Sequence, residues 1–582
     1  MPGLNLLSPD TSRPGISRCV CKRLNLAGNP PSRQFWRVMS KLGCFGKLSG
    51  AHQLPKSGFR RLSDIPALVP FLMVIALVGL VNACAAKHPA GPYDIVIEGG
   101  RVIDPETGLD AVRNIGINGG TIARITERPL QGELIINAHG LVVAPGFIDM
   151  HSHALTTPSM RQQAMDGVTT TLELELGSLP VGEAYALLEQ EGRPINYGFS
   201  VSWALARMQV MDGLEIDGRT VTYQKSVGKP GWRQAADSEQ TAQILALIRK
   251  GLDEGGLGIG VMLGYAPATS PEEYVAVNQL AAARGVPTFT HVRYANFASP
   301  GSIFEGLEEL IDVARQTGAR MHLCHINSSS WRNIEEVRSL LEAAMDEGLN
   351  VSTEAYPYGA GSTTIGAARY APETLDSAGI RAKDIYMTDT GEWVKDVDDL
   401  AAIRSSRPSS IAIFHFLNEA DAKDQALLEH ALLTRDAAFA SDGMPYSVDG
   451  RVLEGNIWPI PEDAEAHPRV AGTFARVLGT WVRERDSMTL NEAIRRSTLV
   501  PAQILEPASP AFARKGRLQE GMDADIVIFD FAQIADKATY QMPYLASEGV
   551  RDLLVGGQPL IRQGQLDTSI MPGQPVRRQP VP

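Results

Sequence analysis

Residues 141–153 read LVVAPGFIDMHSH, an apolar run that ends in a His-x-His pair. Such a run predicts a buried β-strand, and side chains two apart on a strand point to the same side. We therefore expect His151 and His153 to face a common point at the carboxyl end of the strand. Imidazole suits zinc and neighbouring divalent metals, so the pair is a candidate metal site.

The chain around this pair alternates short apolar strands with helical stretches. Strands are predicted over 287–290 and 320–324, and helices over 304–317 and 333–347. This alternation predicts parallel β/α units and places the protein in the α/β class. A span of roughly 360 residues, 146–505, is compatible with a (β/α)₈ TIM-like hydrolase barrel that carries insertions.

Both flanks of this span have a different sequence pattern, with short predicted strands separated by Gly-rich turns. Strands are predicted over 94–99 and 113–117 at one end, and over 524–530 and 550–555 at the other. We therefore expect two small β segments, residues 93–145 and 506–582, on either side of the barrel.

Residues 1–92 are predicted to be a leader made of a disordered segment, a signal or anchor, and a short tether. Arg60 and Arg61 precede an uncharged run, 65–81, and Ala83 precedes Cys84. This pattern resembles the lipobox of bacterial lipoproteins, which implies lipidation of Cys84. The alternative is a single N-terminal membrane helix. Either interpretation predicts a membrane-anchored protein of the cell envelope or periplasm.

Charge is unevenly distributed along the chain. The net charge is -12, although residues 1–84 hold 11 Lys and Arg against 2 Asp and Glu. The remainder is therefore strongly acidic, which argues against nucleic acid as a partner, because phosphate contacts need a basic face. Of the five cysteines only Cys324 lies beyond Cys84, so a disulfide framework is not expected.

Further metal-ligating side chains follow later predicted strands. His291, His325 and Asp442 each stand at the end of one. Parallel strands of a barrel end at the same face, where a metal can activate water and a carboxylate can transfer its proton. The strand 169–176 adds two acids, Glu173 and Glu175. Either is a candidate to bridge two ions, and we favour Glu175 because it lies nearer the end of the strand.

Several stretches resemble the amidohydrolase superfamily, and within it the D-aminoacylase-like (N-acyl-D-amino-acid deacylase) branch. They lie within roughly 93–575 and are residues 144–153, 167–170, 356–358, 360–363, 441–443, 467–469, 472–474 and 521–527. The resemblance implies a distorted (β/α)₈ barrel with a β-sandwich built from both ends. It also implies one or two divalent ions, with Zn²⁺ expected.

The resemblance further implies a role for individual residues. His151, His153 and Asp442 would hold one metal, and His291 and His325 the other. Asp442 would also be the general acid and base. The substrate-binding residues would be Arg293, Tyr356, Ser362 and Arg469, with the last three holding a carboxylate. The implied substrate is a small N-acyl-D-amino acid, N-acyl-D-glutamate among the possibilities.

Two departures from the family pattern surround the substrate. The register of the family's metal-binding Cys holds Leu176, with Glu175 beside it, and the Lys expected two residues after the second metal His is Asn327. A Glu in that place would favour a carboxylate-bridged metal pair.

Two other functions would require different residues. A cyclic-amide hydrolase, such as a hydantoinase or dihydroorotase, normally bridges its metals with a carboxylated Lys, and no Lys stands at a suitable strand end between His153 and His291. A non-catalytic metal- or solute-binding lipoprotein would have no need of Asp442 beside an open metal position.

Overall fold

The computed structural model describes residues 92–219, 222–223, 226–294, 302–367, 370–375, 380–408 and 410–581. The predicted leader, with Cys84, lies outside these residues except for its last residue, Pro92. Within the described ranges, no helix is both long enough and apolar enough to cross a bilayer.

The elements are numbered in chain order. The strands are β1 Tyr93–Asp104, β2 Leu109–Asn118, β3 Thr121–Thr126, β4 Gly132–Asn137, β5 Val142–Pro145, β6 Phe147–Asp149, β7 Val168–Ser178, β8 Asn196–Ser202, β9 Ile259–Met262, β10 Pro287–His291, β11 Arg320–Leu323, β12 Val351–Ala355, β13 Ala360–Thr364, β14 Ile385–Met387, β15 Glu392–Trp393, β16 Ile411–His415, β17 Ala438–Phe439, β18 Ser447–Val448, β19 Arg451–Val452, β20 Ile526–Phe529, β21 Val550–Val555, β22 Gln558–Arg562 and β23 Gln565–Leu566.

The α-helices are α1 Thr157–Met165, α2 Val181–Glu191, α3 Trp203–Asp212, α4 Ser238–Asp253, α5 Pro271–Arg284, α6 Ile303–Thr317, α7 Ile326–Ser330, α8 Ile334–Asp346, α9 Val397–Ser406, α10 Ala422–Leu432, α11 Arg469–Arg476, α12 Leu490–Ser497 and α13 Leu499–Leu505. A π-helical segment, Val477–Glu484, continues from α11.

Eight parallel strands form the barrel sheet in the order β17-β12-β11-β10-β9-β8-β7-β6. A parallel bridge between Ser152 and Gly443, just beyond the ends of β6 and β17, joins the two edges of this sheet. The strands are covered on both faces, and every residue of β7 is buried. This explains the continuous apolar runs in the sequence, and it confirms the predicted (β/α)₈ fold class.

The helices predicted between barrel strands are present. Ser302 caps α6 and forms a capping box with Glu305, an arrangement that satisfies backbone N–H groups at a helix start. The apolar side of α6 is buried, as is that of α8. These two elements match the predicted helices 304–317 and 333–347 to within one residue at each end.

A nine-stranded sheet gathers strands from both flanks of the barrel. Its order is β23-β22-β21-β20-β5-β1-β2-β3, and β4 pairs with β1. The sequence suggested a turn after the strand 94–99, but β1 continues to Asp104 through a register shift between Ile97 and Gly100. Gly99 has φ +70 there, a left-handed backbone conformation that glycine adopts without strain.

The apolar run 141–149 is two strands where one was expected. Val142–Pro145 pairs with β1 and β20 in the nine-stranded sheet, whereas Phe147–Asp149 begins the barrel. Gly146 separates them, and a Cβ there would lie 2.2 Å from the side chain of Thr169. Only glycine fits so close to the neighbouring strand, so the chain passes from one sheet to the other at this residue.

A four-stranded antiparallel sheet, in the order β13-β16-β14-β15, is inserted between β12 and β17. The sequence predicted insertions in the barrel without showing this sheet. Its strand β13 carries Ser362 and begins five residues after the end of β12. The insertion therefore extends from the face of the barrel at which the strands end.

Candidate metal centre

The predicted metal-ligating residues meet at the carboxyl ends of the barrel strands. His151 and His153 follow β6, His291 ends β10, His325 follows β11 and Asp442 follows β17. His325 and Asp442 have positive φ values of 35 and 50. Such strained conformations of non-glycine residues concentrate at functional sites, because the surrounding structure must hold them in place.

These residues form two compact sets of nitrogen and oxygen atoms. In the first, Asp442 Oδ1 lies 3.5 Å from Nε2 of His151 and 3.5 Å from Nε2 of His153. In the second, Nε2 of His325 lies 3.1 Å from Nδ1 of His291. The second set also includes Glu175, and the ligand atoms of each set lie within 4.8 Å of one another.

Glu175 stands between the two sets. Its Oε1 is 2.9 Å from His291 Nδ1 and 2.8 Å from His325 Nε2. Its Oε2 is 3.4 Å from His151 Nε2 and 3.7 Å from His153 Nε2. One carboxylate oxygen therefore faces each set, which suits a carboxylate that bridges two divalent ions.

Glu173 has a different position from Glu175. Its Oε2 lies 2.8 Å from Nδ1 of His153, the ring nitrogen that faces away from Asp442. The register of β7 against β8 shifts between Glu173 and Ser178, and Gly177 has φ +71. Such bulges reorient side chains near active sites, and this one lies where Glu175 turns towards the centre.

The donor set fits a divalent metal. Nε2 of His151 is buried and has no hydrogen-bond partner, although it points into the space shared with Asp442 and Glu175. A buried polar atom left without a partner is costly, and a metal ion would satisfy it. Burial opposes ionisation of Glu175, but the imidazoles of His151 and His291 outweigh it and hold the pKa of this carboxyl well below its usual range. Histidine nitrogens with carboxylate oxygens are the donors that zinc takes in proteins.

Asp442 also contacts the residues expected to bind a carboxylate. Its Oδ2 lies 2.9 Å from Nη1 of Arg469. Burial opposes its ionisation, but the charges of Arg469 and His151 prevail and lower the pKa of Asp442 to about 2. Asp442 therefore carries its negative charge between the metal ligands and the guanidinium.

Arg469, Ser362 and Tyr356 lie together beside the centre, and we call this group the cradle. Arg469 donates from Nη2 to Ser362 Oγ at 3.3 Å, and its guanidinium lies 4.7 Å from the ring centre of Tyr356. The hydroxyl of Tyr356 is buried and has no hydrogen-bond partner. Such an arrangement offers several donors to one carboxylate, and arginine binds carboxylates with two parallel hydrogen bonds.

Arg293, for which the resemblance predicts substrate binding, has its guanidinium contacts in another part of the fold. Its guanidinium forms a two-point ion pair with Glu309, at 2.8 and 2.7 Å, and donates to the carbonyl oxygens of Pro267 and Thr269, at 2.6 Å each. Its hydrogen-bonding capacity is thus used within the fold. Arg293 therefore joins the 267–269 segment to α6.

Glu354, near the end of β12, has contacts that the sequence did not reveal. It bonds Nδ1 of His151 with one oxygen, and its other oxygen lies 3.1 Å from Nε2 of His322. Glu354 is completely buried, which opposes its ionisation, but these two imidazoles hold the pKa of its carboxyl well below the usual range. Glu354 therefore orients the His151 ring and leaves Nε2 free to ligate a metal. In the sequence, only its position near the end of a strand indicates that Glu354 could lie close to the centre.

A third group with metal-ligating atoms consists of His151, Cys324 and Glu354. It overlaps the first set through His151. Because Nδ1 of His151 is already bonded to Glu354, we assign this group to supporting the first set.

Replacing Glu354 by Gln is expected to weaken zinc binding by about 10- to 100-fold, the usual effect of losing the partner of a metal-ligating imidazole. Competition with a chromophoric chelator measures it. Asp552→Asn, which alters a buried carboxylate in β21, is the matched control and should bind zinc as the parent does. An unchanged zinc affinity in folded Glu354→Gln protein would remove Glu354 from this role.

The chain is similar to known proteins in sequence and in structure. The sequence matches the model described as "Amidohydrolase family" over residues 134–561. It is 28% identical over 516 residues to N-acyl-D-glutamate deacylase of Alcaligenes xylosoxydans xylosoxydans, covering 83% of this chain and 96% of that protein. It is 27% identical over 517 residues to D-aminoacylase of the same organism, covering 82% and 96%.

The structure resembles that of N-acyl-D-glutamate deacylase from Bordetella bronchiseptica, which was solved with zinc and a phosphonate inhibitor that mimics the tetrahedral intermediate. The TM-score is 0.67 at 26% identity, and the match covers 84% of this chain and 100% of the other.

Proposed function

The chain belongs to the amidohydrolase family, in its D-aminoacylase-like branch, and from this premise we propose that it deacylates N-acyl-D-amino acids. At the coarser level, it is a metal-dependent hydrolase of carbon–nitrogen bonds in linear amides. The proposed products are a carboxylic acid and a free D-amino acid. Zinc, the metal of the related Bordetella bronchiseptica structure, is the expected ion.

One observation carries the proposal: the cradle lies directly beside the candidate metal centre. Asp442 touches both, with Oδ1 facing His151 and His153 and Oδ2 facing Arg469. A substrate whose carboxylate binds Arg469 would have the neighbouring amide within reach of the centre. An N-acyl amino acid has this arrangement, since its amide nitrogen and its carboxylate share one carbon atom.

The residues of the chain divide the reaction between them. Arg469, Ser362 and Tyr356 bind the carboxylate and fix the orientation of the amide. The amide and the attacking water are then held together, which lowers the entropic cost of the reaction. A zinc ion, when bound, lowers the pKa of water and polarises the amide carbonyl. In this proposal Asp442 takes a proton from the attacking water and passes it to the amide nitrogen. Water adds to the carbonyl carbon, the C–N bond breaks and the nitrogen leaves as a free amine.

The other functions have less support. Glu175 occupies the place between the two histidine sets, where a cyclic-amide hydrolase normally has its carboxylated Lys. A simple binding protein would not require an acid that contacts both the metal ligands and the cradle, as Asp442 does. Hydrolysis of a linear amide would use both the position of Glu175 between the histidine sets and the contacts of Asp442.

Chirality provides the direct test. The zinc-loaded full chain is assayed for release of free amino acid from N-acetyl-D- and N-acetyl-L-methionine and from the N-acetyl-glutamate pair. We expect turnover of a D-enantiomer with kcat/KM at least on the order of 100-fold above that of its L-form, because mirror-image substrates cannot fill the cradle and present the amide in the same way. Absence of D-specific turnover in metal-loaded protein would overturn the proposal.

We also propose that the enzyme is a lipoprotein of the cell envelope, on the basis of Arg60, Arg61, the uncharged run 65–81 and Cys84. Expressed in bacteria with labelled palmitate, the full chain should carry label and fractionate with membranes. Cys84→Ser should lose the label. Label retained by the variant, or absent from the parent, would contradict lipidation at Cys84.

A further inference from the structure

The cradle is built from two separate segments of the chain. Tyr356 and Ser362 belong to residues 356–362, which lead from the end of β12 into β13, whereas Arg469 is the first residue of α11. One substrate carboxylate can be held by all three side chains only if the two segments keep a fixed distance from each other. The contacts that join residues 356–362 to α11 therefore bear on substrate binding.

Glu419, which follows β16, contacts both of these segments. Its Oε1 accepts a hydrogen bond from the backbone N–H of Gly359 at 2.8 Å and another from the hydroxyl of Tyr540 at 3.0 Å. Its Oε2 bonds the guanidinium of Arg476, the last residue of α11. The two oxygens of one carboxylate thus join residues 356–362 to α11.

Arg476 carries this contact to the side of α11 on which Arg469 lies. The two arginines are seven residues apart, which is about two turns of an α-helix. The guanidinium of Arg476 lies 4.5 Å from the ring centre of Tyr358, within residues 356–362, and its Nη1 lies 3.1 Å from Oδ2 of Asp536. Arg476 is thereby held against the segment that carries the other two cradle residues.

Close packing surrounds these contacts. A Cβ on Gly359 would lie 2.8 Å from the carbonyl oxygen of Leu417, and a Cβ on Gly472 of α11 would lie 2.7 Å from Cβ of Asp536. Only glycine allows so close an approach. Because the interior is close-packed, a shift of either segment is transmitted to its neighbours.

A second link joins the two segments independently of Glu419. Nε2 of His467 lies 3.1 Å from the carbonyl oxygen of Ala360, and its Nδ1 accepts a hydrogen bond from the backbone N–H of Arg469, also at 3.1 Å. Loss of the Glu419 contacts should therefore loosen the cradle without dismantling it. The expected effect is on substrate binding more than on folding.

We propose that Glu419 is a positioning residue for substrate binding: its carboxylate holds residues 356–362 against α11 and so sets the spacing of Arg469 and Ser362. The inference rests on the proposed deacylase function and deepens it, since it concerns the carboxylate that this function requires in the substrate. Glu419 acts through Gly359 and Arg476, the residues that it bonds in the two segments.

Replacing Glu419 by Gln tests this role, because an amide has one acceptor oxygen where the carboxylate has two. Whichever way the amide turns, its NH₂ group faces the guanidinium of Arg476 or the N–H of Gly359. We expect KM for an N-acetyl-D-amino acid to rise about 10-fold while kcat stays within about 3-fold of the parent, since the reacting groups are kept and the carboxylate contacts are misaligned.

The kinetics are measured on the zinc-loaded full chain with the better substrate of N-acetyl-D-methionine and N-acetyl-D-glutamate. Zinc affinity is measured on the same samples by competition with a chromophoric chelator, and it should equal that of the parent.

Glu342→Gln is the matched control. Glu342 also bonds an arginine, Arg338 at 2.8 Å, and accepts from a backbone N–H, that of Arg435 at 3.0 Å. Its side chain is 24% exposed, as is that of Glu419, but it lies on α8. We expect this variant to lose a similar ion pair and to keep the parental KM.

A double-variant cycle separates positioning from general destabilisation. Ser362→Ala removes a cradle side chain directly. Combined with Glu419→Gln, it should raise KM by less than the product of the two separate effects, because both changes act on the same group of residues. Combined with Glu342→Gln, it should give the full product of the separate effects.

Tyr540→Phe is a milder second variant, which removes one donor to Glu419 and leaves every charge in place. It should raise KM by about 3-fold, the usual effect of one lost hydrogen bond. The parental KM in both folded variants, or the full product in the cycle with Glu419→Gln, would overturn the positioning role and leave the deacylase function intact. A fall in kcat or in zinc affinity as large as the rise in KM would also overturn it. No turnover of any D-substrate by the parent would overturn the function, and this inference with it.

Discussion

Replacing Asp442 by Asn is expected to reduce kcat by about 10³- to 10⁴-fold, the upper part of the range for removal of a general acid–base group. The amide keeps the size of the carboxylate and an oxygen towards His151 and His153, so zinc should remain bound. Single-turnover hydrolysis of an N-acyl-D-amino acid and the zinc content of the same sample measure the two effects.

A control variant separates proton transfer by Asp442 from binding of the substrate carboxylate. Because Asp442 also lies 2.9 Å from Arg469, Ser362→Ala serves as a control that disturbs the cradle without touching the proton-transfer group. That variant should mainly raise KM, since it removes a contact to the carboxylate, whereas Asp442→Asn should act on kcat. Unchanged turnover in zinc-containing Asp442→Asn protein would remove Asp442 from the mechanism.

Replacing Glu175 by Gln should lower the zinc content from two ions per chain to one or fewer. One oxygen of Glu175 faces His291 and His325, and the other faces His151 and His153. A neutral amide offers one weaker oxygen donor, so it cannot hold both ions as a carboxylate can. Turnover should fall by on the order of 100-fold, since the ion with the open position loses a ligand. Elemental analysis after removal of loosely bound metal measures the zinc content.

Glu173→Gln is the matched control, because Glu173 lies two residues earlier on β7 and is equally buried. It contacts only the outer nitrogen of His153 in the first set. This variant should keep two zinc ions per chain and bind one of them more weakly. If both variants retained two ions with parental affinity, Glu175 would not bridge the centre.

The sequence was sufficient to predict which candidate metal-ligating residues lie together, for a physical reason. Each of His151, His291, His325 and Asp442 stands at the end of an apolar strand, and parallel strands of a barrel bring their carboxyl ends together. Local patterns therefore predicted a long-range cluster. The preference for Glu175 over Glu173 also rested on strand position, and the structure places Glu175 between the histidine sets.

Other features depend on contacts that no local pattern contains. Glu354 acts through His151, which lies 203 residues away, so its partner is visible only after folding. The resemblance predicts that Arg293 binds substrate, but its guanidinium bonds Glu309, a contact that the sequence does not show. Gly146 looks like an interior residue of one apolar strand, and only the packing against Thr169 shows that it separates two sheets.

The inserted sheet was missed for a similar reason. Its strands are short, they pair out of chain order, and β13 pairs with β16 across more than 40 intervening residues. A pattern of alternating side chains read along the chain does not show such pairings.

Zinc titration of metal-free protein, followed by turnover of an N-acyl-D-amino acid, is the most direct test of the central claim that this chain is a metal-dependent deacylase. The full chain is stripped with a chelator, and its zinc content and activity are measured after each addition. We expect no turnover without metal, turnover that appears as zinc binds, and a zinc content that saturates at two ions per chain. Turnover in metal-free protein equal to that of the zinc-loaded protein would contradict it.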